Sequence, residues 1–231
     1  MNEFKFRHEL KFVCTEYELN LIEQRIKNVC SKDLYVGIDG KYSIRSLYFD
    51  TYNDEYYLEN KMGIDDRKKY RIRIYNGNTE VIKLECKHTY RGMKAKEVCN
   101  ISISQYYDIL DNNKIFIQND EQKLLETFAI EKNIKLLKPK IIVEYERTPY
   151  IYIAGNVRVT FDRNITSSTD IEHFQSGDLS RRNIMPEGIH VLEVKYDEFL
   201  PSALLELITA EQKLHKTSFS KYMLCRDYSN R

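Results

Sequence analysis

The run Tyr70-Arg71-Ile72-Arg73-Ile74-Tyr75, followed by Asn76-Gly77 and then by Lys83-Leu84-Glu85-Cys86-Lys87, decides the fold class. Both runs alternate with the period of two that a β-strand imposes on its side chains. Asn76-Gly77 between alternating runs is a hairpin signal. In an ordinary half-buried strand the apolar side chains face the core and the charges face water. Here the charged face carries Arg71, Arg73, Lys83, Glu85 and Lys87, residue types that bind anions and metals, while Ile72, Ile74, Leu84 and Cys86 occupy the other face.

The same pattern recurs outward from this hairpin. Arg7, Glu9 and Lys11 share one face, as do Lys94 and Lys96, then Arg158, Thr160 and Asp162, then Glu193 and Lys195. Eight strands are expected: Glu3 to Val13, Tyr42 to Thr51, Lys68 to Asn76, Glu80 to His88, Met93 to Ile103, Lys140 to Tyr150, Asn156 to Arg163 and Ile189 to Glu198. Gly63, Arg91-Gly92 and Gly155-Asn156 mark further turns. Thr15 with Glu18 reads as a capping box ahead of Leu19, Ile22, Ile26 and Val29, an amphipathic helix. Ser104 to Asn112 and Asp120 to Lys132 read as two more helices, and a fourth follows Pro201 with Leu204, Leu207, Ile208 and Leu214. The polar, aperiodic segment Thr166 to Glu187 is expected to be a mobile loop able to act as a lid.

A length of 231 residues suits one large domain, expected over 1–231. Apolar residues make up 42% and charged residues 31%, enough for a sizeable core beside many charges. The 36 basic and 35 acidic residues nearly cancel, so no global field draws the chain to nucleic acid or to an anionic membrane. Any anion site must be local. Cys14, Cys30, Cys86, Cys99 and Cys225 show no paired spacing, which fits a reducing, cytoplasmic compartment. No leader is expected, and no direct membrane insertion, since no stretch approaches the roughly 20 apolar residues of a span.

Two arrangements satisfy charged faces of this kind: an open sheet with its charges in water, or a closed one with its charges inside. A closed barrel of about eight strands has room for filling side chains or one slender ligand. A lumen lined by arginine and lysine needs anions to occupy it, because buried like charges cost several kcal/mol each. Glu9, Glu85, Asp162 and Glu193 are then partners for the cations or oxygen ligands for a hard divalent metal. The fold class expected is α+β, an eight-stranded antiparallel barrel with helices outside.

These residues, together with Ser46-Leu47-Tyr48-Phe49-Asp50-Thr51, Tyr145-Glu146-Arg147-Thr148, Val157-Arg158-Val159-Thr160-Phe161-Asp162, Val191-Leu192-Glu193-Val194-Lys195 and Ser218-Phe219-Ser220-Lys221-Tyr222, resemble the VTC domain. That is the polyphosphate polymerase domain of the vacuolar transporter chaperone family, within the triphosphate tunnel metalloenzyme (CYTH-like) superfamily. The resemblance runs from residue 4 to about residue 226. It implies an eight-stranded tunnel whose basic side chains hold a phosphate chain and whose glutamate, matched by Glu193, holds Mn²⁺ or Mg²⁺. The matched basic positions are Lys11, Arg71, Arg73, Lys83, Arg147, Arg158 and Lys221, with Arg45, Lys87 and Lys96 as further candidates. Glu9, Glu85 and Asp162 are candidates to share the metal. Arg7 stands where the superfamily often has the first glutamate of Glu-x-Glu-x-Lys, a departure towards the polymerase branch.

The implied reaction passes the γ-phosphate of ATP, or of another nucleoside triphosphate, to inorganic polyphosphate. Arg71, Arg73, Lys83 and Arg158 would hold the nucleotide, and Lys11, Arg147 and Lys221 the growing chain. Phosphoryl transfer asks for in-line positioning and charge neutralisation and needs no side-chain nucleophile. Two alternatives remain: a tripolyphosphatase or nucleoside triphosphatase of the same fold, and a silent polyphosphate-binding module. Other chemistry is not supported. There is no P-loop motif, no G-x-S-x-G, and no recognisable ligand spacing among His8, His88, His173, His190 and His215. If the product is exported, a membrane protein partner must supply the pore.

Overall fold

The computed structural model describes residues 5–33, 36–37, 39–210 and 214–229. Within them the strands are β1 (His8–Thr15), β2 (Ser31–Lys32), β3 (Tyr42–Asp50), β4 (Arg67–Tyr75), β5 (Asn78–Tyr90), β6 (Met93–Ile101), β7 (Lys138–Tyr152), β8 (Val157–Ser168), β9 (Arg182–Asn183) and β10 (Ile189–Tyr196). The helices are α1 (Glu16–Ile26), α2 (Glu55–Lys61), α3 (Ile103–Leu110), α4 (Lys123–Lys135), α5 (Ser202–Thr209) and α6 (Lys221–Ser229). All eight expected strands are present, although Glu3 and Phe4 of the first lie outside the described residues.

Asn76-Gly77 makes the expected turn. Tyr75 pairs with Asn78, and both turn residues have positive φ, 52° and 66°, the backbone of the tight hairpin turns that match strand twist. Arg91-Gly92 repeats this between β5 and β6 at 48° and 74°. Its two amides donate to the Asp65 carboxylate at 2.7 and 2.8 Å.

The main strands form one antiparallel sheet in the order β1-β10-β8-β7-β3-β4-β5-β6. The sheet curls until its two edge strands meet. The Arg7 N–H donates to Lys94 O, and the Lys94 N–H to Arg7 O, both at 2.9 Å. Among the described residues the seam is joined by backbone at this bridge, so closure is partial.

Helices cover the outer faces. Outward residues of β4 to β6, such as Ile72, Leu84 and Ile101, pack with Leu125 and Phe128 of α4 and Ile109 of α3. Phe128 sits edge-on to both Phe49 and Tyr70, with ring centroids 5.2 and 5.1 Å away. On the other side, Phe12, Val159, Phe161 and Leu192 pack with Leu19, Ile22 and Ile26 of α1 and Leu204 of α5. Burying each such side chain contributes about 1.5–3 kcal/mol. Thr15 and Glu18 form the expected capping box: the Glu18 N–H donates to Thr15 Oγ1, and the Thr15 N–H to Glu18 Oε2. The helix stops at Ile26, so Val29 falls outside it and is exposed. Likewise α5 stops at Thr209, before Leu214.

Two helices were not anticipated. In α2 the start is organised from outside: the buried Asp50 carboxylate accepts the Tyr56 and Tyr57 amides at 2.9 and 3.0 Å. In α6, Tyr222 and Cys225 pack against the inner-face residues Tyr42, Ile44, Tyr48 and Tyr145, so this helix sits against the inner face of the sheet. The Tyr222 ring stacks on Tyr48 at 4.9 Å.

The expectation of a mobile lid over Thr166 to Glu187 is corrected. β8 continues to Ser168, β9 pairs with it, and Phe174, Leu179 and Ile184 are buried against the wall. Three apolar anchors in a polar segment have no period, which is why the sequence pattern reads as a loop.

Candidate functional site

Alternation along curled strands delivers one face of each strand to the interior. The result is a cavity of about 770 Å³ lined, among the described residues, by fifteen lysine and arginine side chains and two carboxylates, Glu9 and Glu193. In a chain of 36 basic and 35 acidic residues this is a strong segregation of charge.

The cations are held by a few buried carboxylates. Glu85, on β5, receives Arg71 Nε at 2.7 Å and Lys96 Nζ at 2.8 Å, with Arg73 at 3.6 Å. Burial works to raise this carboxyl, but Arg71 and Arg73 hold it well below the usual range. Asp162, on β8, is gripped by both arms of Arg147 and lies 2.6 Å from Lys221 Nζ, which α6 brings into the barrel. The other two carboxylates share a lysine cluster. Glu9 contacts Lys11 at 2.9 Å and Lys87 at 3.0 Å, and Glu193 contacts Lys195. Burial opposes ionisation of both, and the surrounding lysines overrule it.

Several lysines carry the opposite imbalance. Burial is the largest influence on each of Lys87, Lys94 and Lys96. It outweighs Glu9 for the first two and Glu85 for the third, pulling Lys87 down to about 7 and Lys94 and Lys96 to about 8. Lys69 is more extreme. Its Nζ donates to Asn60 Oδ1 at 2.7 Å and to Ser220 Oγ at 3.3 Å, and burial with Lys87 and Lys11 nearby lowers it well below an ordinary lysine. The Nε of Arg158 is buried without an internal acceptor, and its Nη2 reaches Asp33 at 2.6 Å and Tyr42 Oη at 3.0 Å.

Of the residues singled out from sequence, Lys11, Arg71, Arg73, Lys87, Lys96, Arg147, Arg158, Lys221, Glu9 and Glu193 line this one cavity. Four do not. Arg45 points to the outer wall, where Nη1 donates to Phe174 O and Ser176 O, both at 2.7 Å, and so anchors the segment after β8. Lys83 lies beyond the lining, its Nζ 5.4 Å from the Tyr75 ring centroid. Glu85 and Asp162 sit behind the cavity surface with 0% exposure and their oxygens on arginine and lysine, where they serve as ion-pair anchors.

Sequence reasoning missed Arg67 and Lys69 as lining residues, and put Lys195 on a charged face without assigning it to the site. The first two were within reach, because Arg67, Lys69, Arg71 and Arg73 keep one parity along β4. The stretch Lys216 to Ser220 also lines the cavity, tied in by Lys11 Nζ donating to Phe219 O at 2.9 Å. It has no periodicity to reveal it.

The VTC domain profile matches residues 6–229. The chain belongs to the VTC domain family. As a VTC domain it shares its fold with solved structures of low identity. A Hippeastrum adenylyl cyclase candidate with a dominant triphosphatase activity is 12% identical, covering 96% of this chain and 95% of its own, with a TM-score of 0.55. An adenylate cyclase candidate from Bacillus halodurans is 14% identical over 92% and 95%, with a TM-score of 0.52. One from Vibrio parahaemolyticus is 10% identical over 97% and 99%, also at 0.52. At these identities the likeness is one of fold, and the curled eight-strand sheet of this VTC domain is that of the triphosphate tunnel. The comparison with curated proteins returns no match. Among the described residues of the VTC domain, no helix is long and apolar enough to cross a membrane.

Proposed function

We propose that this VTC domain is a metal-dependent polyphosphate polymerase, passing the γ-phosphate of ATP to a growing polyphosphate chain within the tunnel. The observation that carries the reading is the lining itself: among the described residues, fifteen lysine and arginine side chains against two carboxylates around a cavity of about 770 Å³. The excess of basic groups is relieved when a polyanion enters and neutralises it.

Arg71 and Arg73 are pre-aimed by Glu85, and Arg147 by Asp162, so their planar forks meet phosphate oxygens without reorganisation. Arg158 brings a buried, unaccepted Nε–H. Lys11, Lys69, Lys87, Lys94 and Lys96 add point charges along the chain's path. A terminal oxygen of the acceptor chain forms the new bond to the γ-phosphorus as the bond to the β,γ-bridging oxygen breaks and ADP leaves. The protein's part is to hold the two phosphate ends in line, neutralise their oxygens and exclude water.

Glu9 and Glu193 are the cavity-lining carboxylates, a hard-oxygen donor set that fits Mg²⁺ or Mn²⁺. A divalent ion held there supplies electrostatic relief to the transferring phosphoryl group.

A triphosphatase of the same fold, with water as acceptor, is favoured by one observation: the Hippeastrum relative has a dominant triphosphatase activity. The test incubates the protein with ATP and Mn²⁺ or Mg²⁺, beside an EDTA control, and resolves products by gel and ³¹P NMR. Polyphosphate with ADP establishes the polymerase. ADP with orthophosphate alone replaces it by the triphosphatase, and an absence of metal-dependent product leaves a binding module.

A further inference from the structure

On the outer wall, three unlike donors converge behind the lysine-bearing face of the β5–β6 hairpin. Cys86 and His88 are two residues apart on β5, so they share the face opposite Glu85 and Lys87. Glu97 stands directly across from Cys86 in the β5–β6 ladder. The Cys86 sulfur, a ring nitrogen of His88 and a carboxylate oxygen of Glu97 all lie within 4.8 Å of one another. His88 Nε2 and Glu97 Oε1 are 2.7 Å apart with one hydrogen between them.

We propose that Cys86, His88 and Glu97 form a zinc-type metal site on the outer wall, separate from the tunnel. Thiolate, imidazole and carboxylate together suit Zn²⁺, whereas Mg²⁺ and Mn²⁺ prefer the all-oxygen donors found in the lumen. The charges also balance, because one thiolate and one carboxylate neutralise a divalent ion. Coordination releases the Cys86 thiol proton to solvent and shifts the imidazole hydrogen from Nε2 to Nδ1.

Tetrahedral zinc holds such donors roughly 3.3–3.8 Å apart. His88 and Glu97, with side chains 23% and 38% exposed, have the freedom to close that gap around an ion. Cys86 is fully buried beneath them, and the partly exposed His88 and Glu97 leave room for a water to complete the coordination as a fourth ligand. A spacing of Cys-x-His is not one of the usual zinc patterns, and the third donor comes from the partner strand, so the constellation is invisible along the sequence. A metal here would staple the hairpin that carries Lys87, Lys94 and Lys96 into the lumen.

The test titrates the metal-stripped full chain with Co²⁺. The expected result is a near-ultraviolet thiolate-to-cobalt charge-transfer band, which the oxygen donors of the lumen cannot give, and its loss on addition of Zn²⁺. Cys86→Ser should abolish the band. His88→Ala and Glu97→Gln, changes at half-exposed positions, should each weaken Co²⁺ binding at least tenfold. Glu193→Gln, a change in the lumen, should leave the thiolate band intact. No band at equimolar Co²⁺, a band that survives Cys86→Ser, or unchanged affinity in both His88→Ala and Glu97→Gln would overturn the site. None of these readouts depends on whether the tunnel turns over ATP.

Discussion

Arg147 holds Asp162 by both arms, Nε 2.6 Å from Oδ1 and Nη2 2.7 Å from Oδ2, and Lys221 of the terminal helix adds a third contact to the same carboxylate. Asp162 therefore ties the wall strands β7 and β8 to α6, and its own exposure is 0%.

Asp162→Asn should cost about 3–5 kcal/mol of folding stability, the range for breaking a buried pair and stranding its partners. Denaturant unfolding measures this. A loss below about 1 kcal/mol would show that Arg147 and Lys221 are satisfied without it.

Arg45 and Arg73 provide a paired control for what lies inside the tunnel. Arg73→Ala should raise the apparent Kd for triphosphate at least tenfold, since a charge-assisted contact is worth about 1.5–3 kcal/mol. Arg45→Ala should leave that Kd unchanged while lowering stability by about 2–3 kcal/mol, through the two carbonyls it anchors. Equal effects on binding would put Arg45 back in the site.

The lysines of the lumen set a pH dependence. Buried among other cations, Lys87 loses its proton near pH 7 and Lys94 and Lys96 near 8, whereas unfolded lysines keep theirs to about 10.4. Between about pH 7 and 10 the unfolded chain binds more protons, so stability of the ligand-free protein should rise with pH across that window. A polyanion reverses the imbalance. Its binding should take up protons and strengthen as pH falls from about 9 to 7. Calorimetry of tripolyphosphate binding in two buffers of different ionisation enthalpy reads this directly, and proton release would contradict it.

Much of this arrangement was legible along the sequence because alternation is local. Arg71 and Arg73 share a face through backbone geometry alone, and Asn76-Gly77 forces their strand to return as Lys83 to Lys87. What the pattern could not say is which inward charges reach the cavity. Glu85 and Asp162 have the same parity as their neighbours, yet arginines from adjacent strands cover them, a matter of cross-strand register. Arg45 was misplaced for a related reason: it lies on β3 opposite in parity to Tyr42, Ile44 and Tyr48, which face inward. The α6 helix depends on Asp50 and Tyr48, far away in sequence.

Glu193 is where fold and chemistry separate most cleanly. It lies in the lumen, paired with Lys195 and near Lys11, and the cations around it are already in excess. Replacing it by glutamine keeps the volume and removes one negative charge. Metal-dependent turnover of ATP should fall at least about a hundredfold, beyond what even outer-shell partners of a metal usually cost, and tripolyphosphate should still bind. Stability should drop less than with Asp162→Asn, because Lys195 also reaches Glu9 at 3.7 Å and keeps a counter-charge. Measuring turnover, tripolyphosphate affinity and unfolding on the same preparation separates the cases. Full turnover would remove Glu193 from the metal site, and lost binding alongside lost turnover would make it a structural anchor like Asp162.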